Sequence, residues 1–370
     1  MDNSRIDILE EEILNLAPDV LERLLCDHSR PKYRDEQGEE HYHHIYWATD
    51  NYESEGDGFG FFDEIQISSI TGDHRQLVRP RAVKSKEEQE KRTKDKAEVF
   101  TPSWVCNAQN NLVDDAWFGW NKNEHNGESV FNTEHYEHPK HSWAPRKEPI
   151  PFPTKDNKTW KDYVWDTRLE ITCGEAPYLV SRYDTTTGEP IDDLNARIGL
   201  LDRKLRVVGE NVKTSSDWLH WALCAVKSIY GYEWQGDNLL LAREAVFYTF
   251  VDYYKSFCDT VLHEQASISQ ETYQLVAEII SWNIFQMDGL KFVLPLTCHE
   301  EEIHEVQQPT LFGDLDETPK PVKKKPCPGC AKKDPHRHNG IPVLIAEWAQ
   351  DSDEPKEILA FHTLLKTSKL

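Results

Sequence analysis

The sequence predicts an α/β protein: a doubly wound, mostly parallel sheet preceded by a small N-terminal α+β module. Three observations support this. From Arg168 onward, short apolar runs that read as strands alternate with amphipathic helical stretches, the rhythm of a parallel sheet covered on both faces. The first 80 residues have a different texture, two short helical patterns followed by an aromatic, turn-rich stretch. A hydrophobic fraction of 38%, with 12 Trp, 14 Tyr and 14 Phe in 370 residues, suffices for a large core and argues against wholesale disorder.

The N-terminal module spans 1–80. Ile6, Leu9, Ile13 and Leu16, then Val20, Leu21, Leu24 and Leu25, fall at helical spacing, and Pro18 divides the run into two helices. Residues 41–72 are rich in strand and turn formers. Residues 81–97 interleave basic and acidic side chains and read as a charged linker or solvated helix. The core spans 98–298. Val105, Leu112 and Val113, following Pro102, suit the buried face of a helix, and 121–160, rich in Asn, His, Pro and Trp, reads as a long loop or insertion. Strand–turn–helix segments follow at 168–184, 228–254 and 279–290, with helical stretches at 217–228 and 269–280. A polar insertion covers 299–340, and 341–370 supplies C-terminal strands that complete the core, beginning with Ile341–Trp348.

The net charge of −23 excludes a general nucleic-acid coat, because phosphate binding needs a positive surface. Any DNA contact is local or shared with a partner. The N-terminus has no basic start followed by an apolar run, and no stretch approaches 18 uninterrupted apolar residues. Neither a secretory signal nor a membrane span is expected. The eight cysteines read as reduced thiols of a cytoplasmic protein.

In doubly wound sheets ligands bind beyond the carboxyl ends of the strands, so those residues are read for chemistry. The first segment ends in Cys173-Gly174-Glu175, where glycine permits close approach of backbone to ligand, or simply makes a tight turn. The second ends in Glu233-Trp234. A carboxylate here accepts the ribose hydroxyls of an adenosine, or caps the next helix. The third ends in Asp288-Gly289, where the acid accepts from an adenine amino group or closes an Asp-Gly turn.

Taken in this order, the segments resemble the N6-adenine DNA methyltransferases of restriction–modification systems, of the type described as restriction endonuclease subunit M. EVFTPSWV, with Phe100, Thr101 and Pro102, is similar to their FTP motif beside the methionine part of the cofactor. LEITCGEAPYL is similar to the glycine-rich first motif, IYGYEWQGDNLLLAR to the second, with Glu233 as the ribose acid, and NIFQMDGL to the third, with Asp288 near adenine. The resemblance implies a methyltransferase-type sheet, S-adenosylmethionine as cofactor, and DNA as partner, directly or through another subunit such as a nuclease or specificity chain. These enzymes also carry an (Asn/Asp/Ser)-Pro-Pro-aromatic tetrapeptide that accepts from the target amino group and stacks on the flipped base. This sequence has no Pro-Pro pair. Pro177-Tyr178 and Glu347-Trp348 are partial substitutes, and the catalytic residues are otherwise unassigned. Three functions stay open: an adenine-N6 methyltransferase, a non-catalytic cofactor-sensing or scaffold subunit, and a DNA-mimicking anti-restriction protein suggested by the charge.

Apart from these motifs, Cys327-x-x-Cys330 is followed by His336 and His338 in a polar, Lys-rich stretch. Two thiolates and two imidazoles make a structural zinc site. A redox pair or an unliganded loop fits the same letters.

Overall fold

The computed structural model describes residues 10–96, 98–137, 140–153, 158–303 and 323–365. Helices α1 (Glu10–Leu16) and α2 (Pro18–Leu25) meet at Ala17. Pro18 opens α2 at a position where its missing N–H costs nothing. Val20, Leu21, Leu24 and Leu25 are all buried on α2. Strand β1 (Cys26–Asp27) follows, then the paired β2 (Tyr33–Arg34) and β3 (Glu40–His41), then β4 (His43–His44), which returns to pair with β1.

The charged segment forms α3 (Lys86–Lys96), and it is not wholly solvated. Arg92 is buried, donating to both oxygens of Glu98 at 2.8 Å and to Asp237 at 2.7 Å. Helix α4 (Ser103–Phe118) reverses the expected polarity. Leu112 and Val113 face solvent, whereas Asn107, Asn110, Asn111 and Asp114 are buried. The cause is a buried cation: Arg203 reaches Asp114 at 2.7 Å, Asn111 at 2.8 Å and Asn107 at 3.0 Å. A buried charge has to be paired and hydrogen-bonded, and the amide-rich face does both. Nor is 121–160 simply a loop. It holds an antiparallel hairpin, β5 (Asn132–Glu137) and β6 (Lys140–Pro145), followed by α5 (Trp160–Trp165).

Strand β7 (Arg168–Glu170) leads through a long loop to α6 (Leu200–Asn211) and α7 (Ser215–Lys227). Then come β8 (Ile229–Glu233), α8 (Gly236–Phe257), α9 (Gln270–Asn283) and β9 (Ile284–Gln286). Thr159, Thr214 and Ser269 accept from helix N–H groups and cap α5, α7 and α9. The three strands make one parallel sheet in the order β7-β8-β9, with Glu170 opposite Gly231 and Glu233 opposite Gln286. Side chains alternate across it. Ile229 and Ile284 enter the main core, while Tyr232 and Phe285 join a smaller cluster with Met287, Val343 and Phe361.

After β9 the chain forms β10 (Glu301–Ile303), β11 (Lys323–Lys325), α10 (Pro328–Lys332), β12 (Leu344–Trp348) and β13 (Pro355–Ala360). The run expected to be a fourth core strand is β12. It pairs antiparallel with β13, its nearest neighbour in sequence, and not with the parallel sheet. Among the described residues that sheet therefore has three strands, and β7 pairs only with β8.

Residues 10–80 share the main hydrophobic core: Ile13, Leu24, Trp47 and Val78 belong to the cluster that holds Leu205, Phe250 and Ile280. Buried Arg243 of α8 joins the parts. It donates to Leu24 O (2.5 Å), Cys26 O (3.0 Å), Ser281 O (3.0 Å) and Ile284 O (2.7 Å), meeting carbonyls where α2 and α9 end. Helix carboxyl ends favour a cation. No helix among the described residues is long and apolar enough to cross a membrane.

Candidate functional site

Strands β7 and β8 run out together at one end of the sheet and open onto a cavity of about 690 Å³. Beyond β7 the chain turns through Thr172, Gly174 and Ala176, all with positive φ (48°, 54° and 60°). Gly174 adopts this conformation freely, but Thr172, being β-branched, is strained there, and such strain is held only by its surroundings. Cys173 N donates to Tyr232 O at 2.8 Å, which keeps the turn in line with β8. A Cβ on Gly174 would come within 3.5 Å of Phe100, which lies against the turn.

Glu233 at the end of β8 faces this turn. One oxygen accepts from Gly174 N at 2.8 Å; the other accepts from Trp234 N at 2.8 Å and Gln235 N at 3.3 Å. Burial pushes its pKa up, against the pull of those three donors. The carboxylate therefore bridges the glycine turn and the start of α8. Gln235 and Asn238, from that helix end, also line the cavity.

Glu170, the last residue of β7, is the second buried acid of the wall. It accepts from Tyr178 N and Leu179 N at 3.3 and 3.0 Å, and burial raises its pKa to about 8. A third acid, Glu98, is matched by Arg92 and accepts from Asn238 Nδ2 at 2.7 Å. Behind it Asp237, against the cost of burial, is held down to about 2 by Arg92 and Lys84. Among the described residues the cavity lining thus contains three acids and no Lys or Arg, and only Glu98 of these acids has a cationic partner.

The N-terminal segment closes another side through Ala48 and Phe61. Gly236 N donates to Trp47 O at 2.9 Å, and Trp234 Nε1 donates to Ala48 O at 3.1 Å. Gln286 imitates a strand partner for Tyr46, accepting from its N at 3.0 Å and donating to its O at 2.9 Å.

The structure brings Phe100, Thr101, Cys173, Gly174, Pro177, Tyr178, Glu233 and Trp234 to the cavity wall. The other expected residues stand elsewhere. Pro102 is the N-cap residue of α4. Glu175 turns inward and accepts from Arg81 N at 2.6 Å and from the Tyr183 hydroxyl at 2.5 Å. Asp288 closes its own turn, accepting from Leu290 N at 3.0 Å and Lys291 N at 3.2 Å, and Gly289 lies under the Tyr232 ring. Trp348 is a core residue whose Nε1 donates to Asn283 at 2.8 Å, so its ring is not free to stack on a base. Glu347 pairs on the surface with Lys356 at 2.8 Å.

Cys327, Cys330 and His338 converge with Cys298, which sequence spacing did not suggest. His336 is not part of that group and faces the His362 ring, with centroids 5.5 Å apart. The cavity residues missed by sequence reasoning include Glu98, Glu170 and Asn238. Glu170 did leave a signal, an acid inside an apolar strand. No family model, curated protein or solved structure matches this chain.

Proposed function

We propose that the cavity at the end of β7 and β8 binds S-adenosylmethionine, and that the chain serves the adenine-N6 methylation step of a cytoplasmic DNA-modification or phage-defence system. The observation behind this reading is the Glu233 carboxylate held against the Gly174 turn beside a cavity of about 690 Å³. That volume lies within the roughly 300–1,000 Å³ of small-molecule sites. An acid after the second strand is the group that accepts both hydroxyls of an adenosine ribose. The wall chemistry narrows the ligand further. A nucleotide phosphate would meet the Glu233 carboxylate with no lining Lys or Arg, among the described residues, to offset it. A sulfonium and an α-ammonium suit that carboxylate, and Glu170, its pKa raised to about 8, adds no fixed charge near neutral pH. Thr101, Gly174 and Tyr178 offer polar groups near the turn, and Trp234 and Phe100 offer aromatic surface.

Methyl transfer from a sulfonium needs alignment more than proton transfer. In this reading the chain's own residues hold the ribose (Glu233), shape the methionine end (Phe100, Thr101, Gly174), and present Pro177-Tyr178 at the cavity wall.

A second reading, a subunit that binds the cofactor while a partner supplies acceptor and sequence recognition, is favoured by one feature. The outer edge of β7 is unpaired among the described residues, and Leu169 on that strand is 45% exposed.

Calorimetric titration with S-adenosylmethionine tests the cavity. The expected result is one site, weakened about tenfold or more by Glu233→Gln, because charge-assisted hydrogen bonds are worth roughly 1.5–3 kcal/mol. Asp288→Asn should leave the affinity unchanged. No heat from folded protein, or equal binding by Glu233→Gln, refutes the reading. Methyl incorporation into adenine-containing DNA by the chain alone then separates enzyme from subunit.

A further inference from the structure

We infer that Cys298, Cys327, Cys330 and His338 form a tetrahedral Cys3His site for zinc, which fastens the segment leaving the parallel sheet to the start of β12. The site lies apart from the cavity and does not depend on what the cavity binds.

The geometry is that of a coordination shell. Cys298 Sγ lies 3.2 Å from Cys327 Sγ, 3.8 Å from Cys330 Sγ and 3.4 Å from His338 Nδ1. His338 Nδ1 lies 3.5 Å from Cys327 Sγ and 3.7 Å from Cys330 Sγ. Zinc bonds of about 2.3 Å to sulfur and 2.0–2.1 Å to nitrogen, at tetrahedral angles, require edges of roughly 3.8 Å between sulfurs and 3.6 Å between sulfur and nitrogen. The three sulfur–nitrogen edges fall within about 0.2 Å of that figure. Of the sulfur–sulfur edges, Cys298–Cys330 matches and Cys298–Cys327 is shorter.

The surrounding backbone is built for the same purpose. Cys330 N donates to Cys327 Sγ at 3.3 Å, the kind of second contact that stabilises a thiolate ligand. A Cβ on Gly329 would stand 2.6 Å from His338 N, and one on Gly340 2.8 Å from Cys298 N, so both glycines are needed for the strands of chain to close. The fit is reinforced by His299 N to Asn339 Oδ1 (3.1 Å), Asn339 Nδ2 to His299 O (3.0 Å) and Ile341 N to Thr297 Oγ1 (3.0 Å).

Four protein ligands leave no open position, so the ion is structural. Three thiolates and an imidazole select a soft divalent ion over calcium or magnesium. What it holds follows from the connections: Leu294 N donates to Ile341 O at 2.9 Å, and Val293 bridges both Asp288 and Pro342. Binding energy at such a site is folding energy for the segment that contains it.

The test uses the full chain, with metal measured by mass spectrometry and thiols counted before and after chelation. The expected result is one zinc per chain, with three thiols released by chelator alone. Cobalt exchange should give the intense thiolate charge-transfer and visible bands of a tetrahedral site. Cys298→Ser and His338→Ala should lose the ion, whereas His336→Ala keeps it at full occupancy. Because the first two variants can misfold, the wild-type cobalt spectrum and His336→Ala decide independently. A folded, metal-free chain that refuses cobalt overturns the inference. So do thiols released only by reductant, which would indicate a disulfide, or loss of metal from His336→Ala.

Discussion

At the level of single residues, the main electrostatic feature is that two acids, Glu170 and Glu233, are buried beside the cavity with no cationic partner among the described residues. Glu170 is the clearest case, with its pKa raised to about 8 from a usual 4.5. The folded state therefore binds this proton more tightly than the unfolded chain. Stability is greatest below the unfolded pKa and falls as pH rises from about 4.5 to about 8. Glu170→Gln keeps the neutral form at every pH. Urea unfolding at pH 5 and pH 9 should show the variant gaining on the wild type by on the order of 3 kcal/mol. An unchanged gap would rule out Glu170 as a titrating group. Residue identity made Gly174 and Glu233 legible, because a strand-end glycine and acid are cues in the chain itself. It misdirected Asp288 and Glu175. Asp288 accepts from the N–H groups of its own turn and Glu175 from distant Arg81 N and the Tyr183 hydroxyl, roles that the same letters permit and that only the folded geometry decides.

At the level of elements, helices and short strands were legible where burial is apolar. The segments at 217–228 and 269–280 correspond to α7 and α9, whose bounds are Ser215–Lys227 and Gln270–Asn283. Helix α4 was misread because its buried face is Asn and Asp, matched to Arg203 from α6, and no local pattern announces a partner about 90 residues away. Strand β12 was recognised, but its pairing was not, since a short turn makes β13 its nearest partner. The join between the N-terminal segment and α8 gives an element-scale prediction. A Cβ at Gly236 would stand 2.0 Å from Tyr46 O and 2.9 Å from its carbonyl carbon. Gly236→Ala therefore has to push the Tyr46–Ala48 segment off the helix end. The loss should be about 2–4 kcal/mol of stability, together with weaker ligand binding, because Ala48 forms part of the wall. Unaltered thermal unfolding and affinity would show that this contact is dispensable.

At the level of the whole molecule, one hydrophobic core extends from Ile13 to Trp348. Residues 10–80 of the 1–80 module read from sequence texture are consequently a wall of the same body. Texture changes report local composition, whereas the joins are made by buried polar side chains, Arg243 and Gln286, that reach across more than 200 residues. Among the described residues the parallel sheet has three strands and is open at β7, and the cavity forms where the N-terminal segment, the FTP stretch and the two strand ends meet. Ligand binding should therefore stiffen parts of the chain far apart in sequence. Hydrogen–deuterium exchange with and without saturating S-adenosylmethionine measures this directly. Protection is expected at 98–101, 171–178 and 233–238 together, with 132–137 and 355–360 unaffected. Protection confined to other segments, or none at all, would contradict a cofactor site between Gly174 and Glu233.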